Sequence, residues 1–140
     1  MAISLDTLII DLRRSYADDL PDTEQALSAD QLRRSLTRAV IMVNRDFAKA
    51  YAIEAEALMP DPPASDREML LLAAMVSVSE MMLARYARYP SVKSGDKSVS
   101  RDGQVDAWSR LHARYSELYR DSVAAYIANR QDNVDPLLYG

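Results

Sequence analysis

Cysteine is absent, and the 140 residues include only three glycines and one histidine. Without cysteine there is no disulfide stapling, no thiolate nucleophile and no Cys-ligated zinc or iron-sulfur site, so the fold must rest on apolar packing. The phosphate-cradling patterns G-x-x-x-x-G-K-[ST] and G-x-G-x-x-G do not occur, nor does the zinc motif H-E-x-x-H. Gly95-Asp96-Lys97 alone is no phosphate cradle. A basic excess is missing too: 17 Lys and Arg face 21 Asp and Glu, for a net charge of -4. Most of the affinity for nucleic acid comes from neutralising phosphates, so a dedicated nucleic-acid binder is not expected. Asp6 and Asp11 interrupt the apolar start, which leaves no secretory signal and predicts synthesis and action in the cytosol. The most apolar run, residues 69–83, contains Glu80 and two serines and is shorter than the ~20 residues of a spanning helix. It reads as a buried core helix, with no membrane partner.

What is present is helical periodicity. A chain of this length forms one domain, placed at residues 1–128, with an extended C-terminal tail over 129–140. The predicted fold class is mainly α: a four-helix core, a small β-hairpin or extended element, and that tail. A first helix over 4–17 has Ser4 as cap and Leu5, Leu8, Ile9, Leu12 and Tyr16 on one stripe. A second begins at Ser28, which forms a capping box with Gln31, and buries Leu32, Leu36, Val40, Val43 and Phe47. Its opposite side carries Arg34, Arg38, Arg45 and Lys49.

Residues 50–58 change period and read as a strand or extended segment, closed by Pro60, Pro62 and Pro63. A third helix runs from Ser65, boxed with Glu68, to about Tyr89, apolar around its whole circumference and therefore central. Residues 91–100 around Gly95-Asp96 read as a small hairpin or ordered loop. A fourth helix, capped by Ser100 or Asp102, carries Val105, Trp108, Leu111, Tyr115, Leu118, Ser122, Val123 and Tyr126 on a stripe ending near residue 128.

Candidate chemistry is thin, and neither an enzymatic activity, a cofactor nor a metal site is expected. Asp106, Ser109 and His112 imitate a hydrolytic triad, but successive helical turns supply no strained nucleophile turn and no oxyanion donors. A surface or interface histidine is the better reading. Residues 96–107 imitate a calcium loop yet place Arg101 at the glycine position and Ala107 where a bidentate glutamate belongs. Glu54 and Glu56, two apart, would share a strand face and read as solvated charges. The eight tyrosines divide between the core and subunit contacts. The tail is the sharpest lead: Val134, Asp135, Pro136, Leu137, Leu138 and Tyr139 combine apolar side chains with an extended entry, suited either to a partner or to the chain's own bundle.

The order of segments carries a resemblance. It consists of Val43-Asn44-Arg45-Asp46, then Tyr51-Ala52-Ile53, the proline loop and the Leu-rich helix. Val92-Lys93-Ser94-Gly95-Asp96-Lys97-Ser98-Val99-Ser100 and a helix with Trp108, Leu111, Tyr115 and Tyr119 follow. Over residues 32–126 this pattern, built around a "Gly-Asp-x-Ser" loop, resembles the head-tail adaptor (connector) proteins of long-tailed phages and related gene transfer particles. The chain departs from the family in the Ala-rich segment after Phe47.

The resemblance implies a helical protein assembled as a ring, usually of twelve copies, in the neck of a virion or virus-like particle made in the bacterial cytoplasm. It implies three partners: the portal protein above, a neck or tail completion protein below, and double-stranded DNA passing without sequence-specific binding. Family C-terminal segments commonly reach into the portal, which implies that role for Val134 to Tyr139. Arg34, Arg38, Arg45 and Lys49 would then face neighbouring subunits or the channel. A channel through which DNA slides should not grip phosphate, and the acidic balance agrees with that. The alternative reading is a small DNA-binding or regulatory helical module using the same basic stripe.

Overall fold

The computed structural model describes residues 2–19, 27–88 and 95–138, with side chains over 2–15, 27–86 and 105–130. Among these the element order is β1 (Ile3–Ser4), α1 (Leu5–Asp19), α2 (Ala29–Phe47), β2 (Ala52–Glu54), β3 (Ala57–Met59), α3 (Ala64–Arg88) and α4 (Gly95–Leu138). The mainly α class with four helices and a small β element is as expected.

Local sequence accounts for most of these elements. The Ser4 hydroxyl caps α1 by accepting from the Asp6 amide at 3.2 Å. Leu5, Leu8, Ile9 and Leu12 are buried as the stripe predicted, while the Tyr16 side chain lies outside the described residues. At the start of α2 the predicted capping box is formed. The Ser28 hydroxyl accepts from the Gln31 amide at 3.2 Å, and the Gln31 side chain accepts from the Ser28 amide at 3.0 Å. Leu27 before the cap and Leu32 at the fourth helical position are both buried, the two positions of a hydrophobic staple. α2 ends at Ala48 in the left-handed conformation, φ 53°, with the Ala48 and Lys49 amides both donating to the Asn44 carbonyl. The Asn44 side chain then brackets the backbone of Tyr51, donating to its carbonyl and accepting from its amide, each at 2.9 Å.

The segment read as one strand is two. β2 and β3 form an antiparallel hairpin with Ile53 opposite Leu58, and β3 also pairs with β1, Ile3 opposite Leu58, giving the order β1-β3-β2. The reason the hairpin escaped notice is chemical. Its two-residue turn holds Ala55 at φ 51° and Glu56 at φ 63°, a geometry usually signalled by Asn-Gly. Here Ala-Glu occupies it. Glu54 and Glu56 therefore do not share a strand face: Glu56 sits in the turn and pairs with Arg33 at 2.6 Å.

α3 begins at Ala64, one residue before the predicted cap, and the Pro63 carbonyl accepts from the Arg67 amide at 2.9 Å. Ser65 thus lies inside the first turn, and the Ser65–Glu68 box is not made. As predicted, α3 is the centre: it packs on α2 and α4 and also meets α1. Residues 64–86 are long and apolar enough by composition to cross a bilayer, a longer stretch than the 69–83 run. In this fold every residue from Ala73 to Ser79 is enclosed by neighbouring helices.

α4 departs furthest from expectation. Residues 95–100, read as a hairpin or loop, are its first turns, and residues 91–94 lie outside the described residues. At the other end α4 runs to Leu138 where an extended tail was predicted from residue 129. No glycine or proline interrupts residues 104–135. Once a helix is nucleated each further residue adds a ladder bond, and the helix-breaking Pro136 comes only in the last turn.

Candidate partner-binding surfaces

The basic stripe of α2 is largely compensated within the chain. Arg38 meets Glu80 at 3.5 Å, Lys49 meets Asp66 at 3.4 Å, and Arg45 grips Asp46 through two bonds of 2.9 and 3.1 Å. Arg34 is exposed and has no partner among the described residues. Exposed pairs of this kind contribute little to stability, about 0–1 kcal/mol, but they lower the potential a phosphate backbone would meet. Between Arg34 and Arg38 on one side and Arg45 on the other sits Ile41, 61% exposed, which interrupts the stripe with apolar surface.

Asp46 is a node between α2 and α4. Besides Arg45 it accepts from the Tyr119 hydroxyl at 2.7 Å, across 73 residues of sequence. The Arg45 hydrogen bonds, against partial burial and with help from Tyr119, hold its carboxyl below the usual carboxylate range. Burial first, and then the bond to Asp46, push the Tyr119 phenol up. The Tyr119 ring meets Phe47 edge-on with centroids 6.0 Å apart, and Tyr126 packs on the same Phe47 at 5.2 Å. An equivalent node fastens the sheet to α3: the Tyr51 hydroxyl donates to Asp66, which also meets Lys49. Tyr51, Tyr115 and Tyr119 thus belong to the core.

Beside Asp46 the surface opens into a groove of about 310 Å³ between α2 and α4. Met42, Arg45 and Asp46 line it from α2, Ser116, Tyr119, Arg120 and Val123 from α4, and Val76 of α3 forms its floor. The groove exists because α2 and α4 both pack on α3 and meet each other mainly around Asp46 and Phe47. Sequence reading placed Val123 on the apolar stripe of the fourth helix but not Tyr119, putting the exposed Leu118 there instead. It had no means of identifying the groove, whose walls come from three separate helices.

The triad imitation is not assembled. The Asp106 carboxylate pairs with Arg110, and Ser109 is exposed. His112 is half-buried, with Nδ1 2.9 Å from the Ser79 hydroxyl. That hydroxyl donates its proton to the Val76 carbonyl at 2.7 Å, so Nδ1 is the donor to Ser79, and His112 fastens α4 to α3. The stretch compared with a calcium loop is helical throughout. Among the described residues no three His, Asp or Glu side chains gather as a metal site would require.

The predicted docking residues Val134, Asp135, Pro136, Leu137 and Leu138 fall in the last turns of α4, and Tyr139 lies outside the described residues. At 1.5 Å per residue, the 44 residues of α4 measure about 66 Å against about 37 Å for the 25 residues of α3. Tyr126 still packs on Phe47, and Ile127, Ala128, Asn129 and Arg130 after it are all exposed. No family model, curated protein or solved structure matches this chain.

Proposed function

We propose that the chain is a structural head-tail adaptor: it docks on a portal protein, forms a ring around the DNA channel and joins the head to the neck and tail of a virion or gene transfer particle. The observation that carries this reading is the length of α4, which continues past its exposed residues 127–130 and holds Val134, Leu137 and Leu138 in its last turns. A cyclic assembly requires two different complementary faces on each subunit. The end of α4 offers one and the groove between α2 and α4 offers another. The order of segments over residues 32–126 and its likeness to connector proteins supply the partners: portal, neck or tail completion protein, further copies of the chain, and DNA in transit. Internal pairing of Arg38, Arg45 and Lys49 suits a channel neighbour that lets DNA pass, and speaks against the alternative of a DNA-binding or regulatory module.

The test is co-sedimentation of the purified chain with portal rings of its own particle. The full chain is expected to travel with the portal, and a chain lacking residues 134–140 is expected to stay behind while keeping its helical circular dichroism. A full chain that never travels with the portal overturns the adaptor reading. Retained binding by the shortened chain removes the end of α4 from the docking step.

A further inference from the structure

The lining of the α2–α4 groove holds chemistry that the folding of the chain does not use up. α2 and α4 run the same way along α3. Arg38 and Lys49 of α2 meet Glu80 and Asp66 in reverse order, and on α4 His112 meets Ser79 while residues 116–123 share the groove with Val76. The space between the two walls is therefore a trough with Val76 at its base. From Ser116 to Val123 the α4 wall is about 10 Å long at the helical rise per residue.

Charge is unevenly spent along this trough. Arg45 is gripped by Asp46 through two bonds, and Asp46 also accepts from the Tyr119 hydroxyl, so that corner is closed and neutral. Arg120 on the opposite wall is exposed and enters no ion pair among the described residues. The lining keeps one positive charge in a chain whose net charge is -4. Helical spacing sets Ser116, Arg120 and Val123 on one face of α4, a hydroxyl before the guanidinium and an isopropyl group after it. Met42 and Val76 add apolar surface from the other two helices.

We propose that the groove binds a small amphiphilic monoanion, an aliphatic chain lying on Met42, Val76 and Val123 with its carboxylate paired to Arg120. Apolar walls with a few placed polar groups are the usual make-up of a small-molecule site. The groove of about 310 Å³ equals about ten times the ~30 Å³ that one water molecule occupies in the liquid, room for a chain of about eight carbons with its carboxylate. The guanidinium fork matches a carboxylate with two parallel hydrogen bonds. A single negative charge is what the lining can neutralise. A dianion would leave one charge uncompensated near Asp46, and a neutral chain would leave Arg120 unpaired. The site goes beyond the adaptor reading and does not depend on it, although a ligand there would cover one of the two faces which that reading uses.

The test is titration of the ¹⁵N-labelled full chain with sodium octanoate, below its micelle-forming concentration, followed by amide chemical shifts. Saturable shifts are expected at residues 42–46 and 116–123. Octan-1-ol is expected to bind about tenfold more weakly or worse, because it lacks the charged hydrogen bonds. Butanoate, which buries four fewer methylenes, is expected to weaken by about tenfold or more. Arg120→Gln changes an exposed position and is expected to keep the folded spectrum while losing about tenfold in octanoate affinity. Arg114→Gln, exposed on α4 but outside the lining, is expected to bind octanoate as the wild type does.

Absence of saturable shifts overturns the site, as do shifts centred elsewhere, octan-1-ol binding as tightly as octanoate, or an Arg120→Gln chain that binds like the wild type. Groove amides that shift with protein concentration before any octanoate is added show a second copy in the groove, and overturn it too. The two readings fail separately. Octanoate binding without portal docking removes only the adaptor, and portal docking without octanoate binding removes only the ligand site.

Discussion

Tyr119 and Asp46 show how much one pair of side chains decides in this protein. The phenol of Tyr119 is pushed above its ordinary value of 10.0 by burial and by its bond to Asp46, and Tyr51 is raised in the same way with Asp66 as partner. As pH rises through 10.0 the unfolded chain loses these protons first, so their contribution is intact below that pH and declines above it. Asp46 acts in the opposite sense. Its carboxyl is held below its ordinary value of 3.8, so its contribution is present above that pH and is lost as acid carries the solution down through the folded-state value. Tyr119→Phe is expected to lower stability by about 1.5–3 kcal/mol, the range for a hydrogen bond to a charged group, and to flatten the alkaline decline. Urea unfolding at neutral pH and above pH 10 reads both. Ser77 makes the converse case: it is buried, and its hydroxyl has no partner among the described residues. Ser77→Ala is expected to stabilise the fold by about 1 kcal/mol in the same assay, because it removes an unsatisfied polar atom from a helix interior.

At the scale of elements, capping chemistry was legible and backbone handedness was not. Ser28 and Gln31 announce the start of α2 and form the box they promise. Ser28→Ala is expected to cost about 1 kcal/mol, measured as a shift in the unfolding midpoint. The hairpin of β2 and β3 carries no such announcement, because Ala55 and Glu56 fill left-handed positions that favour Asn and Gly. Ala55→Asn with Glu56→Gly is expected to raise stability by about 1 kcal/mol. The exposed Arg33–Glu56 pair that this change removes offsets little of the gain. An unchanged melting temperature would show that the turn is not held in this conformation. The length of α4 was missed for a different reason. Residues 129–133 are polar and lack the apolar periodicity that marks a packed helix, yet no glycine or proline from 104 to 135 stops a helix already under way.

Over the whole molecule α3 is the element on which the rest is built. Met82 is fully buried at its centre line, and Met82→Ala is expected to cost about 2–5 kcal/mol in equilibrium unfolding, against a total of about 5–15 kcal/mol for a domain. Met82→Asp is expected to give no folded protein. The sequence by itself determined the parts that depend on near neighbours along the chain: four helices with α3 innermost, the apolar stripes of α1 and α2, the caps at Ser4 and Ser28, and the helical setting of Ser109, whereas on α4 it buried Leu118, which is exposed, and passed over Tyr119, which is buried. These follow because hydrophobic period and side-chain capping act within a few residues. Tertiary structure alone decided what joins distant residues. It placed Tyr119 on Asp46 and His112 on Ser79, neutralised most of the α2 basic stripe, and left α2 and α4 apart so that a groove opens over Val76. Such contacts depend on where helices cross in space, and no spacing along the chain encodes that.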